Sequence, residues 1–108
     1  MIRITYYRKK HRVTIEGHAE SAEKGHDLVC SAVSVLAYTL AAFVTNMDAS
    51  GQLKSKSVKL GEGDSRICCK TATKNDAGVT LVFDSICGGF ELLHENFPQF
   101  VNYEILSA

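Results

Sequence analysis

The run Leu28–Val44, LVCSAVSVLAYTLAAFV, carries no charged side chain over seventeen residues. A bilayer span needs about 20 predominantly apolar residues with basic flanks. This run is shorter, is diluted by two Ser, a Thr and several Ala, and has no basic cluster close by. A helix apolar on most sides in a soluble chain is the buried central element of a fold. The expectation is therefore a core helix, from about Asp27 to Met47, with no membrane involved. At 108 residues and 45% apolar content the chain can fill one core, so a single domain over residues 1–108 is expected.

The flanking segments read mainly as strands. Ile2, Ile4 and Tyr6 alternate with Arg3, Thr5 and Tyr7, and Val13 and Ile15 alternate with Thr14 and Glu16, which predicts an opening hairpin. Short strands are expected at Ser57–Leu60, Arg66–Thr71 and Val79–Ile86, the last after a turn at KNDAG. Gly88 and Gly89 are read as the opening of a second, shorter helix, Phe90–Phe97, that Pro98 ends. VNYEIL alternates again as a final strand. The predicted order is ββαβββαβ, an α+β domain with two helices covering a mostly antiparallel sheet.

Twelve basic residues balance twelve acidic ones, so the overall field that draws a chain to phosphate is missing and no nucleic acid is required as a partner. The local exception, RKKHR at Arg8–Arg12, falls between two strands and is read as a solvated turn. It lacks the Asn-Gly or Asp-Gly of a tight hairpin, which leaves its turn type open. Met1 leads into MIRITYYRKK with no apolar stretch or small-residue cleavage site behind it. Reduced thiols in a cytoplasmic protein are accordingly expected for Cys30, Cys68, Cys69 and Cys87.

The chemistry concentrates in GHAESAEKGHDLVCSAVS, which begins at Gly17. It sets His18 twelve residues ahead of Cys30, with Gly25 between them. A thiol near a helix N-terminus, or beside an imidazolium, ionises more readily than a free one. Cys30 is expected in the first helical turn, and His18 can fold back over the helix end. Asp27, Cys30 and Ser34 share one helical stripe. Asp27 is either a plain N-cap or also the group that orients His18. Ser34 either bonds back to its own helix or places a hydroxyl beneath the thiol. The polar loop Ala19–His26 is either an ordinary connection or a lid hinged at Gly25.

Other assignments of the thiols are weaker. His26 and Cys30 stand at i, i+4 with His18 near, but two good ligands do not close a zinc shell, so no metal and no cofactor are expected. Cys87 would sit at the start of the second helix, yet His94 lies two turns further on. Cys68 and Cys69 are adjacent and point to opposite faces of a strand. Tyr38, Phe43, Phe90, Phe97 and Phe100 either line a pocket or fill the core, and the core is the expectation for each.

GHAESAEKGHDLVCSAVS resembles the signature of the ribosomal-processing cysteine proteases, the Prp family of bacteria. In that signature Gly-His, a loop ending in Gly-x-Asp, and Asp-x-x-Cys followed by Ala-Val-Ser occur in this order and spacing. The similarity extends over nearly the whole chain, with two departures: Ser31 stands where alanine is usual, and the first hairpin lacks its usual glycine. The resemblance implies Cys30 as nucleophile and His18 as its general base and acid, with Gly17, Gly25, Asp27 and Ser34 at the other motif positions. It implies a homodimer whose substrate is the N-terminal extension of a large-subunit ribosomal protein, cut after an aromatic residue. In such an enzyme, free N–H groups of the helix's first turn, that of Cys30 included, would meet the oxyanion, with a second donor unassigned. The alternative is a non-catalytic, ribosome-associated binding module in which RKKHR touches RNA or an acidic partner and the central helix carries an interface.

Overall fold

The computed structural model describes residues 1–17 and 25–108. Within them, β1 (Ile2–Tyr7), β2 (Arg12–Glu16), β3 (Leu53–Gly61), β4 (Asp64–Thr71) and β5 (Val101–Leu106) form one sheet in the order β3-β4-β2-β1-β5. Every neighbouring pair is antiparallel except β1 with β5. Two helices, α1 (His26–Ala49) and α2 (Thr73–Asn96), complete the domain. The α+β class and the mostly antiparallel sheet are as the sequence predicts.

Alternation sorts the strand residues by face. Ile2, Ile4 and Tyr6 of β1, Val13 and Ile15 of β2, and Ile67 and Cys69 of β4 point inward and join one core cluster with the helices. Into that cluster α1 sends Val29, Val33, Ala37, Leu40, Ala41 and Val44. The spacing of three or four residues is that of a single helical stripe. The charge-free run is thus the core helix, although by length and mean hydropathy, 2.0, α1 could cross a membrane.

The prediction of a strand at Val79–Ile86 is overturned, and with it the third β of the βββ run. Those residues lie inside α2, where Val79, Phe83, Cys87 and Phe90 are buried at intervals of four, four and three. Leu81, which strand alternation would place inward with Val79 and Phe83, is 67% exposed. The period of 3.6 is the one that buries the large side chains. KNDAG belongs to the helix rather than to a turn, and Gly88–Gly89 lies within α2 rather than opening a helix. Gly89 has a packing reason: a Cβ there would stand 2.9 Å from both Leu36 methyl carbons of α1. Strand β3 is also longer than predicted, beginning at Leu53, with a register irregularity between Leu53 and Ser55.

The RKKHR turn is a short 3-10 segment, Arg8–Lys10, closed by His11 in the left-handed region at φ 46°. It is only partly solvated. His11 is 4% exposed, with Nε2 2.7 Å from Thr80 Oγ1 of α2. Arg8 donates to both carboxylate oxygens of Asp84, which also accepts a 2.8 Å hydrogen bond from the buried Tyr6 hydroxyl. These bonds tie the first hairpin to the second helix.

Candidate active site

At the far end of β2 from that turn, Gly17 takes φ 88° and donates its N–H to Gly63 O at 3.0 Å. A Cβ on Gly17 would lie 2.5 Å from the Met1 carbonyl oxygen, so glycine is required by contact as well as by conformation. The chain resumes its described course at Gly25, φ 94°, the N-cap of α1. His18, with Ala19–Lys24, lies outside the described residues.

The start of α1 corrects two expectations. Asp27 is not the N-cap, because the helix begins one residue before it, with the Val29 N–H donating to Gly25 O. Its carboxylate is fully exposed, stands 3.3 Å from His26 Nδ1 and adds favourable charge to the first turn. Cys30 is consequently the fifth helical residue. Its N–H falls within the i to i−4 ladder, which leaves the N–H groups of His26, Asp27 and Leu28 as this end's donors without a helical partner among the described residues.

The Cys30 thiol is half-buried and opens onto a cleft of about 680 Å³. One wall is the α1 stripe Cys30, Ser34 and Tyr38, spaced by four residues, and the opposite wall is the β3–β4 turn from Leu60 to Ser65. Ile2 and Ile15 contribute apolar surface from the strands. The turn is braced by a 2.7 Å Lys59–Asp64 ion pair and by Ser65 Oγ donating to Gly61 O at 3.1 Å. A cleft of this size, lined by both apolar and polar side chains, is large enough to take part of an extended peptide.

Within the cleft, His26 Nε2 stands 3.6 Å from Cys30 Sγ, within reach of a thiol–imidazole hydrogen bond. The imidazole is held edge-on against Phe100 at 5.9 Å between centroids. The i, i+4 spacing of His26 and Cys30 thus makes a direct contact. Ser34 lines the cleft one turn from the thiol. Tyr38 departs from the expected core position: it is 60% exposed and lines the cleft, while Phe90 and Phe100 are core residues. The wall from Leu60 to Ser65 escapes sequence reasoning, since it reaches the site through the pairing of β4 with β2, Asp64 opposite Glu16.

The other thiols have different surroundings. Cys87 sits in the middle of α2, where burial pushes its thiol up to about 12. The rival reading of Cys87 at a helix N-terminus is thereby overturned. Burial pushes Cys69 up to about 11. Cys68 is half-buried on the opposite face of β4, 3.8 Å from Lys10 O.

A half-buried thiol and an imidazole in an open cleft, joined to a chain passing through Gly17 and Gly25, is an arrangement suited to acyl transfer from a peptide. The family model described as cysteine protease Prp matches residues 1–102. The chain belongs to that family. It is a cysteine protease, and the non-catalytic module is set aside. Among solved structures, SMU.848 from Streptococcus mutans is 27% identical, with a TM-score of 0.67 over 97% of this chain and 91% of that one. The essential ribosomal processing protease Prp from S. aureus, solved with a covalently linked product peptide, is 18% identical with a TM-score of 0.68 over 97% of both chains. The same protease with a substrate peptide is 17% identical, with a TM-score of 0.67. At those identities the S. aureus structures speak to the fold. No curated protein sequence matches the chain.

Proposed function

We propose that Cys30 is the nucleophile and His18 its general base and acid, in an endopeptidase that removes the N-terminal extension of a bacterial large-subunit ribosomal protein after an aromatic residue. The observation that carries this reading is the placement of the thiols. In a cysteine protease one must meet substrate: Cys30 lines the larger cleft beside an imidazole, Cys69 and Cys87 are buried, and the half-buried Cys68 contacts the Lys10 carbonyl on the outer face of β4. His18 follows directly on Gly17, which itself lines the same cleft. Support for the substrate comes from the motif and from the S. aureus protein, whose description is that of a ribosomal processing protease. Tyr38 and Leu60, both exposed in the cleft, offer apolar surface to an aromatic side chain.

The Cys30 thiolate attacks the scissile carbonyl, and the imidazolium of His18 gives its proton to the departing amine. Water then hydrolyses the thioester, with His18 taking the proton of the attacking water. The first-turn N–H groups of α1, with the positive end of its dipole, are assigned to meet the oxyanion. His26, in contact with Sγ, holds the thiol toward the cleft, and Asp27 in turn restrains His26. Gly25 is assigned the hinge of the connection that carries His18, and Ser34 a supporting polar contact one turn along. The working form is a cytoplasmic homodimer that uses neither metal nor cofactor.

The test is cleavage of that ribosomal protein from the same organism, followed by sequencing of the new N-terminus. One cut after an aromatic residue is expected. It is abolished by Cys30→Ala, reduced by roughly 10²–10⁴-fold by His18→Ala, reduced less by His26→Ala, and indifferent to chelator. A His26→Ala loss as large as that of His18→Ala would move the base to His26. Binding without cleavage would remove the substrate assignment.

A further inference from the structure

Cations and anions cancel in the sum of this chain but not in space. Toward the other end of the sheet from Cys30, a hollow of about 510 Å³ is lined by Lys9 and Lys10 of the first turn, Arg12 of β2, Lys54 of β3 and Lys70 of β4. Asp76 is the sole carboxylate among its lining residues. It accepts a hydrogen bond from Thr71 Oγ1 at 3.0 Å and stands 3.7 Å from His11 Nε2. None of the five cations forms an ion pair among the described residues. Five like charges from four elements around one concavity repel each other, and an anion relieves that repulsion.

Two further features narrow the ligand. Arg12 keeps a buried Nε–H without an acceptor among the described residues, an uncompensated donor at the edge of the hollow. Beside it, Tyr7 is the direct cross-strand partner of Arg12, with the Arg12 guanidinium 5.8 Å and the Lys10 ammonium 5.9 Å from the ring centroid. This ring lies on the face of the sheet that no helix covers, since alternation sends Tyr6 into the core and Tyr7 outward. The cations stretch over β2, β4 and β3, about 10 Å from first strand to last, too wide for a single phosphate. Phosphodiester charge beside an aromatic plate is the chemistry of single-stranded nucleic acid. An acidic peptide's carboxylates would use the cations and place nothing on the ring.

We propose that this hollow, with the Tyr7 ring at its edge, is a binding site for single-stranded RNA, separate from the peptide cleft. The two sites share no lining residue, and at their nearest, Ile15 to Arg12 on β2 and Ser65 to Cys68 on β4, roughly 10 Å of strand separates them. RNA bound at one end leaves the cleft free, so the protease can be held near RNA-associated protein while it cuts.

Fluorescence anisotropy of the full chain with a labelled oligouridylate of about twelve nucleotides tests this. Saturable binding is expected at low salt, with log affinity falling against log salt by about 0.7 for each phosphate neutralised. The double charge reversal K54E/K70E should weaken it at least roughly tenfold and lower the salt slope by about one to two, and Tyr7→Leu should weaken it roughly five- to tenfold. Both variants should keep wild-type melting and peptide cleavage. Cys30→Ala should bind RNA as the wild type does, so the outcome is independent of the nucleophile assignment. Absence of saturable binding at low salt, or wild-type affinity in K54E/K70E, overturns the proposal. So does equal competition by an Asp/Glu-rich peptide or by inorganic phosphate at matched charge concentration.

Discussion

Only the thiolate alkylates at a useful rate, so alkylation reads the surroundings of each cysteine residue by residue. Burial disfavours the charged form of Cys69 and Cys87 and also blocks reagent access, whereas Cys30 meets both solvent and the His26 imidazole in the cleft. Iodoacetamide at about neutral pH is expected to modify Cys30 first, Cys68 more slowly, and Cys69 and Cys87 only on unfolding, as followed by mass mapping of the labelled peptides. The gap between Cys30 and Cys87 should exceed roughly a hundredfold. Early labelling of Cys87 would contradict its place in the middle of α2. Gly17 is likewise set at the scale of one residue, since any side chain there would stand too close to the backbone oxygen of Met1.

At the scale of elements, α2 shows how two patterns compete within one stretch. Val79, Leu81 and Phe83 satisfy a period of two, while Val79, Phe83, Cys87 and Phe90 satisfy one of 3.6, and local propensity leans against the helix because Gly78, Gly88 and Gly89 fall inside it. Tertiary burial decides. The glycines are not equivalent, and that gives a test. A Cβ at Gly88 would meet nothing within 4 Å, so Gly88→Ala should stabilise by about 0.5–1 kcal/mol and raise Tm by roughly 2–6 °C. At Gly89 the Leu36 side chain must shift, so Gly89→Ala should gain nothing or lose stability. Thermal melting of the two variants separates the cases, and an equal gain from both would deny the close α1–α2 contact. By contrast, α1 and the opening hairpin are legible in sequence, because seventeen uncharged residues and a clean Ile2, Ile4, Tyr6 alternation each fit one structure. Cys30 is legible by its place near a helix start and by its motif. The cleft wall from Leu60 to Ser65 is not, since strand pairing between residues distant in sequence puts it there. For Tyr38 the sequence leaves pocket and core both open, because its exposure depends on what stands opposite it.

Across the whole molecule, stability is linked to pH through the polar contacts that join the first hairpin to α2. His11 is buried against Phe83, with Thr80 as its hydrogen-bond partner. Asp76 and Asp84 face it and favour its protonation, and Arg8 opposes it. Burial outweighs the carboxylates, so the folded His11 titrates below its ordinary value near 6.5. The unfolded chain therefore binds a proton at His11 before the folded one does, and stability must fall as pH drops from about 6.5 toward the lower folded value. Asp84 acts in a lower window. Arg8 first, and then the Tyr6 hydroxyl, hold its carboxyl below the usual range, so its contribution is present above the unfolded carboxylate value, about 3.9, and is lost as pH falls through the folded one. Melting temperatures from pH about 7.5 to about 4.5 should thus decline first through the histidine window. His11→Asn, which tolerates the left-handed backbone at this position, should melt lower at neutral pH yet lose less on acidification to about 5. The difference between the two curves isolates His11, the position at which the two proteins differ. Parallel curves from pH about 7 to about 5 would mean that the burial of His11 contributes nothing to the acid response, and the hairpin–helix junction would then have to be held by Asp84 and its two partners.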